Sequence, residues 1–120
     1  MRLDFEALRT IILYIEQNSS GKGLEKVLRD KNVSESDIKE HAILLSDGGY
    51  IESGAKPNGT AFVEKIYRLT PNGQEIAALI RDTERWDKAN KKIKETVGSA
   101  SFDILLELIR SDIRKELGIQ

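Results

Sequence analysis

Few residues in this chain have broad chemical range, and their spacing limits what they can do. The single imidazole, His41, follows Asp37 by four positions, which sets both on one face of a helix and would allow a ligand pair or an acid-base couple. The surrounding pattern assigns simpler duties. Asp37 falls in the first turn behind Ser34, where a carboxylate favours the helix N-terminus, and His41 is expected at the edge of the core with one nitrogen in water or bonded to backbone. No serine sits in a nucleophile-elbow or related context that would join it to His41 and a carboxylate. The complete lack of Cys removes thiol catalysis, disulfides and Cys-ligated zinc or iron-sulfur sites. Gly21-Lys22-Gly23 lacks the full spacing of a phosphate loop and follows no strand, so it reads as an ordinary loop. The expectation is therefore no catalytic residue, no metal, no cofactor and no enzymatic activity.

Chemistry of another kind lies in the charged side chains, and the elements that carry them can be read from periodicity. Asp4 is a good N-cap ahead of Phe5, Leu8, Ile11, Ile12 and Ile15, whose spacing makes one apolar stripe on a first helix ending at Asn18-Ser19-Ser20-Gly21. Leu24, Val27 and Leu28 mark a short second helix closing near Asp30-Lys31-Asn32. Ser34 and Asp37 open a third, with Ile38, Ala42 and Leu45 buried, and Gly48-Gly49 stops it. The period then changes. Tyr50 to Ser53 and Ala61 to Leu69 read as two strands of a hairpin, joined by a flexible stretch whose strongest turn signal is Pro57-Asn58-Gly59. Thr70-Pro71 caps and opens a fourth helix through Ile76, Leu79 and Ile80. From Thr83, Trp86, Ala89, Ile93 and Val97 keep helical spacing up to Gly98. A last helix from about Ser101 carries Phe102, Leu105, Leu106, Ile109, Ile113 and Leu117, and Gly118 ends it.

The fold class that follows is mainly α with a small β-hairpin. Three helices, a hairpin and further helices are the chain order of a winged helix-turn-helix with additional C-terminal helices, in which the third helix lies in the DNA major groove and the hairpin is the wing. A chain of 120 residues suits a single domain, with a winged-helix core over 1–82 and a C-terminal helical extension over 83–120.

The formal charge of -1 excludes the strongly basic balance of a nucleic-acid coat or packing protein, so any phosphate contact must come from local patches. The longest apolar run, Ile11 to Ile15, is far below the roughly 20 residues of a membrane span, and Asp4 and Glu6 spoil a signal peptide. A soluble cytoplasmic protein without a membrane partner is expected.

The start Met1-Arg2-x-Asp4-Phe5, the phrase Ile38-x-x-His41-Ala42-x-x-Leu45-x-x-x-Gly49-Tyr50-Ile51-Glu52 and the segment Tyr67-Arg68-Leu69-Thr70-x-x-Gly73 form a recognisable series. With Ile80-Arg81-Asp82-x-x-x-Trp86-x-Lys88 and Ser101-Phe102-Asp103-Ile104-Leu105, the chain resembles, from about residue 1 to 117, a family of phage- and prophage-associated bacterial proteins catalogued as domain of unknown function 2513. One departure is Gln74, where members more often carry His or another bulky residue. The resemblance implies a winged-helix-like fold in a phage or prophage context and supplies no catalytic residues.

Two roles are consistent with this reading. In the first, a winged-helix DNA-binding protein places Ser36, Lys39, Glu40 and Ile43 in the groove of double-stranded DNA while Lys56, Asn58, Lys65 and Arg68 of the hairpin hold phosphates. The third helix opposes this, because Glu35, Asp37, Glu40 and Asp47 stand against Lys39 alone. Each unit charge is worth about 0.4 kcal/mol at roughly 10 Å in water, so the opposition is on the order of 1 kcal/mol before screening. Glu40 could instead accept from a cytosine amine. In the second role, the acidic third helix and the apolar last helix serve a non-catalytic protein-protein interaction module that does not bind DNA. Trp86 reads as a core or helix-helix anchor, and Lys88, Lys91, Lys92 and Lys94 as a solvated helix face. The broad apolar face of the last helix offers, beyond its own packing, a surface for a homodimer mate.

Overall fold

Short polar side chains stand where helices must satisfy their first free amides, and they set most of the element boundaries. In the computed structural model, which describes residues 3–96 and 101–118, the Asp4 carboxylate accepts from the Ala7 amide at 3.2 Å, the Ser34 hydroxyl from Asp37 at 3.2 Å and the Ser101 hydroxyl from Ile104 at 3.3 Å. The resulting order is α1 (Phe5–Asn18), α2 (Leu24–Asp30), α3 (Glu35–Asp47), β1 (Ile51–Ser53), β2 (Ile66–Leu69), α4 (Pro71–Ile80), α5 (Thr83–Thr96) and α6 (Phe102–Glu116). The chain is mainly helical with a small antiparallel hairpin, as expected. The expected continuation of α5 to Val97 and Gly98 lies outside the described residues, as do Met1 and Arg2.

The chain forms two compact units, Met1–Ala77 and Ala78–Gln120. In the first unit α1 is the central element, packing against α2, α3 and β2. Its stripe of Leu8, Ile11, Ile12 and Ile15 is fully buried, together with Leu24, Leu28, Ile38, Ala42 and Leu45 from the next two helices. Each buried Leu or Ile among them contributes about 1.5–3 kcal/mol relative to exposure. In the second unit α5 packs on α6, and Trp86, Ile93, Leu105, Leu106 and Ile109 are buried. Leu117 is not part of that buried stripe and is 67% exposed.

The hairpin differs from expectation in one strand. Ala61 to Lys65 forms a single helical turn, with the Lys65 amide donating to Ala61 O at 3.0 Å and to Phe62 O at 3.2 Å, and β2 begins only at Ile66. The burial pattern explains the change. Phe62, Val63 and Ile66 are all buried while Glu64 and Lys65 are exposed, a set that strict alternation in a strand cannot produce but one turn of helix can. The Pro57-Asn58-Gly59 turn does form, closed by the Gly59 amide on Lys56 O at 2.9 Å. Ile51 pairs with Leu69, Glu52 with Arg68 and Ser53 with Ile66, so the register slips between Glu52 and Ser53. This bulge turns both Tyr67 and Arg68 outward while Ile66 and Leu69 stay buried.

A third segment edges the hairpin. The Gly21 amide, between α1 and α2, donates to Ile66 O at 2.8 Å, and a Cβ at Gly21 would lie 2.0 Å from Val63 O. Only glycine allows that approach. A Cβ at Gly73 would similarly meet Tyr50 O at 2.0 Å, so the first turn of α4 closes against the backbone just ahead of β1.

His41 is placed more deeply than the sequence suggests. It is 1% exposed and both ring nitrogens are bonded to backbone: the Asp4 amide donates to Nε2 at 2.9 Å, and Nδ1 lies 2.7 Å from Asp37 O. An amide can only donate and a carbonyl can only accept, so Nδ1 carries the proton. The Asp37 carboxylate is not the partner; its backbone carbonyl is. One imidazole thus ties the cap of α1 to the first turn of α3. His41→Ala would empty the buried ring site and leave two part-buried backbone groups without a side-chain partner, and the expected loss is about 2–4 kcal/mol. A urea melt that leaves the midpoint unchanged would contradict this role.

Candidate nucleic-acid interface

Burial of Ile38, His41, Ala42 and Leu45 against the head fixes the rotation of α3. At 100° per residue the opposite side carries Ser36, Glu40 and Asp47, all exposed, with Ile43 half-buried beside them and Leu44 41% exposed. Lys39 lies on the flank. Its ammonium donates to Asn58 O at 3.5 Å, so the loop between the strands folds toward the helix instead of projecting freely. Between them runs an open groove of about 570 Å3 lined by Ser34, Ser36, Lys39, Gly59 and Thr60, with Glu25 and Glu35 at its edge and Phe62 and Val63 in its floor.

The residues anticipated for contact are therefore distributed unevenly. Ser36, Lys39 and Asn58 come together at the groove, and Glu40 and Ile43 occupy the adjoining outward face. Lys56 is exposed at the start of the Pro57-Asn58 turn, and Lys65 is exposed at the end of the helical turn, not within a strand. Arg68 stands apart on the outer face of the hairpin, where its Nε donates to Glu52 Oε2 at 2.5 Å. The Tyr67 hydroxyl donates to the same oxygen at 3.3 Å. The Arg68 hydrogen bond is the main reason the Glu52 carboxyl is held below its ordinary value, with the Arg68 charge and the Tyr67 hydrogen bond adding to it against a smaller opposing desolvation.

Electrostatically the outward face of α3 holds Glu40 and Asp47 and no cation. Cross-strand pairing of Glu52 with Arg68 was readable as opposite charges only if the strand register was known, and the bulge conceals it. The Gly21 bridge had a weaker signal, a small-residue stretch from Ser19 to Gly23 between two helices.

The lysine-rich α5 is not a bare solvated face. Lys88 donates to Asp112 Oδ1 at 3.0 Å, Arg85 meets Asp82 at 3.3 Å and Asp112 at 3.6 Å and also pairs with Glu116, and Lys91 lies 3.9 Å from Glu95. The Lys88 hydrogen bond chiefly, with Arg85 and Lys115 nearby, holds the Asp112 carboxyl below the usual aspartate range. Among the described residues no group of His, Cys, Asp and Glu could hold a metal ion, and no helix is long and apolar enough to cross a membrane.

The model of a family described as hypothetical protein (DUF2513) matches residues 2–100. No curated protein and no solved structure matches the chain.

The Glu52-Arg68 pair has a testable acid signature. A carboxyl whose folded value is depressed stabilises the fold above its unfolded value and loses that contribution as pH falls through the folded value. Below the ordinary value of 4.5 for Glu52, the native protein is expected to lose stability more steeply than Glu52→Gln, and Arg68→Gln should move the Glu52 titration midpoint upward by NMR. An unchanged midpoint in Arg68→Gln would show that the pair does not persist in solution.

Proposed function

The chain belongs to the DUF2513 family, and from its geometry we propose that it is a winged-helix DNA-binding protein of phage or prophage origin, acting in the cytoplasm in the manner of a transcription regulator. The phage context rests on the sequence resemblance alone. Support for the winged-helix reading comes from the element order and from the Gly21 bond to Ile66, which makes the linker between α1 and α2 an edge of the hairpin. The observation that supports the DNA reading is the approach of Lys39 to Asn58, which brings the flank of α3 beside the loop between the strands. In this arrangement Ser36, Glu40 and Ile43 face base edges, while Lys39, Lys56 and Lys65 reach phosphates. Arg68, held by Glu52, contributes only if that pair opens.

A second reading is favoured by a specific feature. The outward face of α3 pairs two carboxylates with the exposed Leu44, a surface suited to a basic and apolar protein partner rather than to phosphate. The two readings separate on salt. A DNA-binding protein is expected to retain duplex DNA at 50 mM salt and lose it steeply by 200 mM, and Lys39→Gln with Lys56→Gln should lower the slope of log affinity against log salt by about 2. Failure to retain any duplex at low salt would leave the protein-binding reading in its place.

A further inference from the structure

The packing of α6 on α5 uses one side of α6 and leaves a second seam facing outward. Leu105, Leu106 and Ile109 are fully buried, and the pairs Lys88-Asp112 and Arg85-Glu116 run the two helices antiparallel. At 100° per residue, Ile104, Leu108, Ser111 and Lys115 fall on the outward side within an arc of about 60°, and their four-three-four spacing is that of a coiled-coil seam. Ile104 is 46% exposed, Leu108 and Ser111 are half-buried and Lys115 is exposed. Beside this seam a cavity of about 140 Å3 opens between the helices, walled by Arg85, Lys88 and Lys92 of α5 and by Leu108, Ser111 and Lys115 of α6. Charge is segregated along the same side. Asp103 and Glu107 stand in the first half of α6, Arg110, Arg114 and Lys115 in the second, while Asp112 and Glu116 are bound to α5.

We propose that this seam pairs with the same seam of a second copy of the chain, α6 against α6, antiparallel about a twofold axis between residues 109 and 110. The charge pattern selects that partner and that direction. In an antiparallel pair the acidic first half of each α6 meets the basic second half of the other, and the helix dipoles oppose, whereas a parallel pair sets like charges side by side. Ile104 then packs on the aliphatic stem of Lys115 in the second copy, and Leu108 on Ser111, whose small side chain leaves room for it. Glu107 flanks the seam on the same side as Arg114. Its Oε1 accepts from Arg110 at 2.9 Å, but its Oε2 meets Arg114 of its own helix only at 3.9 Å, which leaves that oxygen available to Arg114 of the second copy. The contact is smaller than the roughly 800 Å2 per partner of a stable complex, so the pair is weak, with a dissociation constant on the order of 100 μM. It does not depend on what the head binds.

The test is sedimentation equilibrium of the full chain from about 10 μM to 1 mM at low salt, a range that brackets the expected midpoint. The parent is expected to pass from monomer to dimer, and Ile104→Lys to weaken the dimer by about 10-fold or more. Glu107→Arg alone and Arg114→Glu alone each set like charges across the pair and should weaken it by about 10-fold. An equimolar mixture of those two variants restores opposite charges at both contacts, so it should dimerise to within about twofold of the parent, as heterodimer. Circular dichroism and melting of each variant verify that α6 is still folded, and recovery on mixing reports a contact between chains whatever each reversal does within its own helix. A parent that stays monomeric to 1 mM would overturn the proposal. So would a dimer untouched by Ile104→Lys, which would place the contact elsewhere, or two weakened variants that fail to recover when mixed, which would confine Glu107 and Arg114 to their own helix.

Discussion

The head of this protein turns on one buried imidazole. His41 accepts from the Asp4 amide and donates to the Asp37 carbonyl, so it joins the cap of α1 to the first turn of α3 across 37 residues of sequence. Both partners are backbone groups with a single possible polarity, and satisfying them together requires one tautomer and one ring orientation. With Ile38, Ala42 and Leu45 on the same buried side, this sets the rotation of α3 about its axis. The identity of the side chains that meet solvent follows from it: Ser36, Glu40, Ile43 and Asp47 are outward because His41 is inward. A rotation by one residue would bury Glu40 or Asp37 without a partner, at a cost far larger than the alternative packing could return.

Around that fixed helix the remaining polar groups sort into compensated and uncompensated sets. Arg68 and Glu52 neutralise each other on the outer face of the hairpin, and Arg85, Lys88 and Lys91 of α5 are matched by Asp112, Glu116 and Glu95. Those charges stabilise elements and offer little to an external anion. The outward side of α3 keeps its carboxylates Glu40 and Asp47, while exposed cations such as Lys56 and Lys65 stand on the loop and the turn between the strands. A near-neutral chain can still bind a polyanion through such local asymmetry, since the contact depends on the nearest charges within a Debye length of about 10 Å and not on the sum.

Most helix starts were legible because they are written in local chemistry. Asp4, Ser34, Thr70 and Ser101 are hydroxyl or carboxylate caps, and Gly48-Gly49 and Gly118 mark ends. The hairpin was legible in outline, but its second strand was overextended. Phe62 and Val63 side by side are compatible with a strand or a helical turn, and tertiary burial of both decides for the turn. The depth of His41 was not readable, because its partners are backbone atoms that no residue type announces. Of the anticipated contact residues, the meeting of Lys39 with Asn58 depends on the folded loop, and the capture of Arg68 depends on a bulge; neither leaves a local signal.

The most direct measurement of this account is the imidazole nitrogen spectrum of the folded protein by long-range proton-nitrogen NMR. The expected result is a single His41 form with the proton on Nδ1, an unprotonated Nε2, and an Asp4 amide strongly protected from exchange. Two tautomers in rapid exchange, or a proton on Nε2 with an unprotected Asp4 amide, would contradict the clamp and with it the orientation of α3 on which the proposed interface is built.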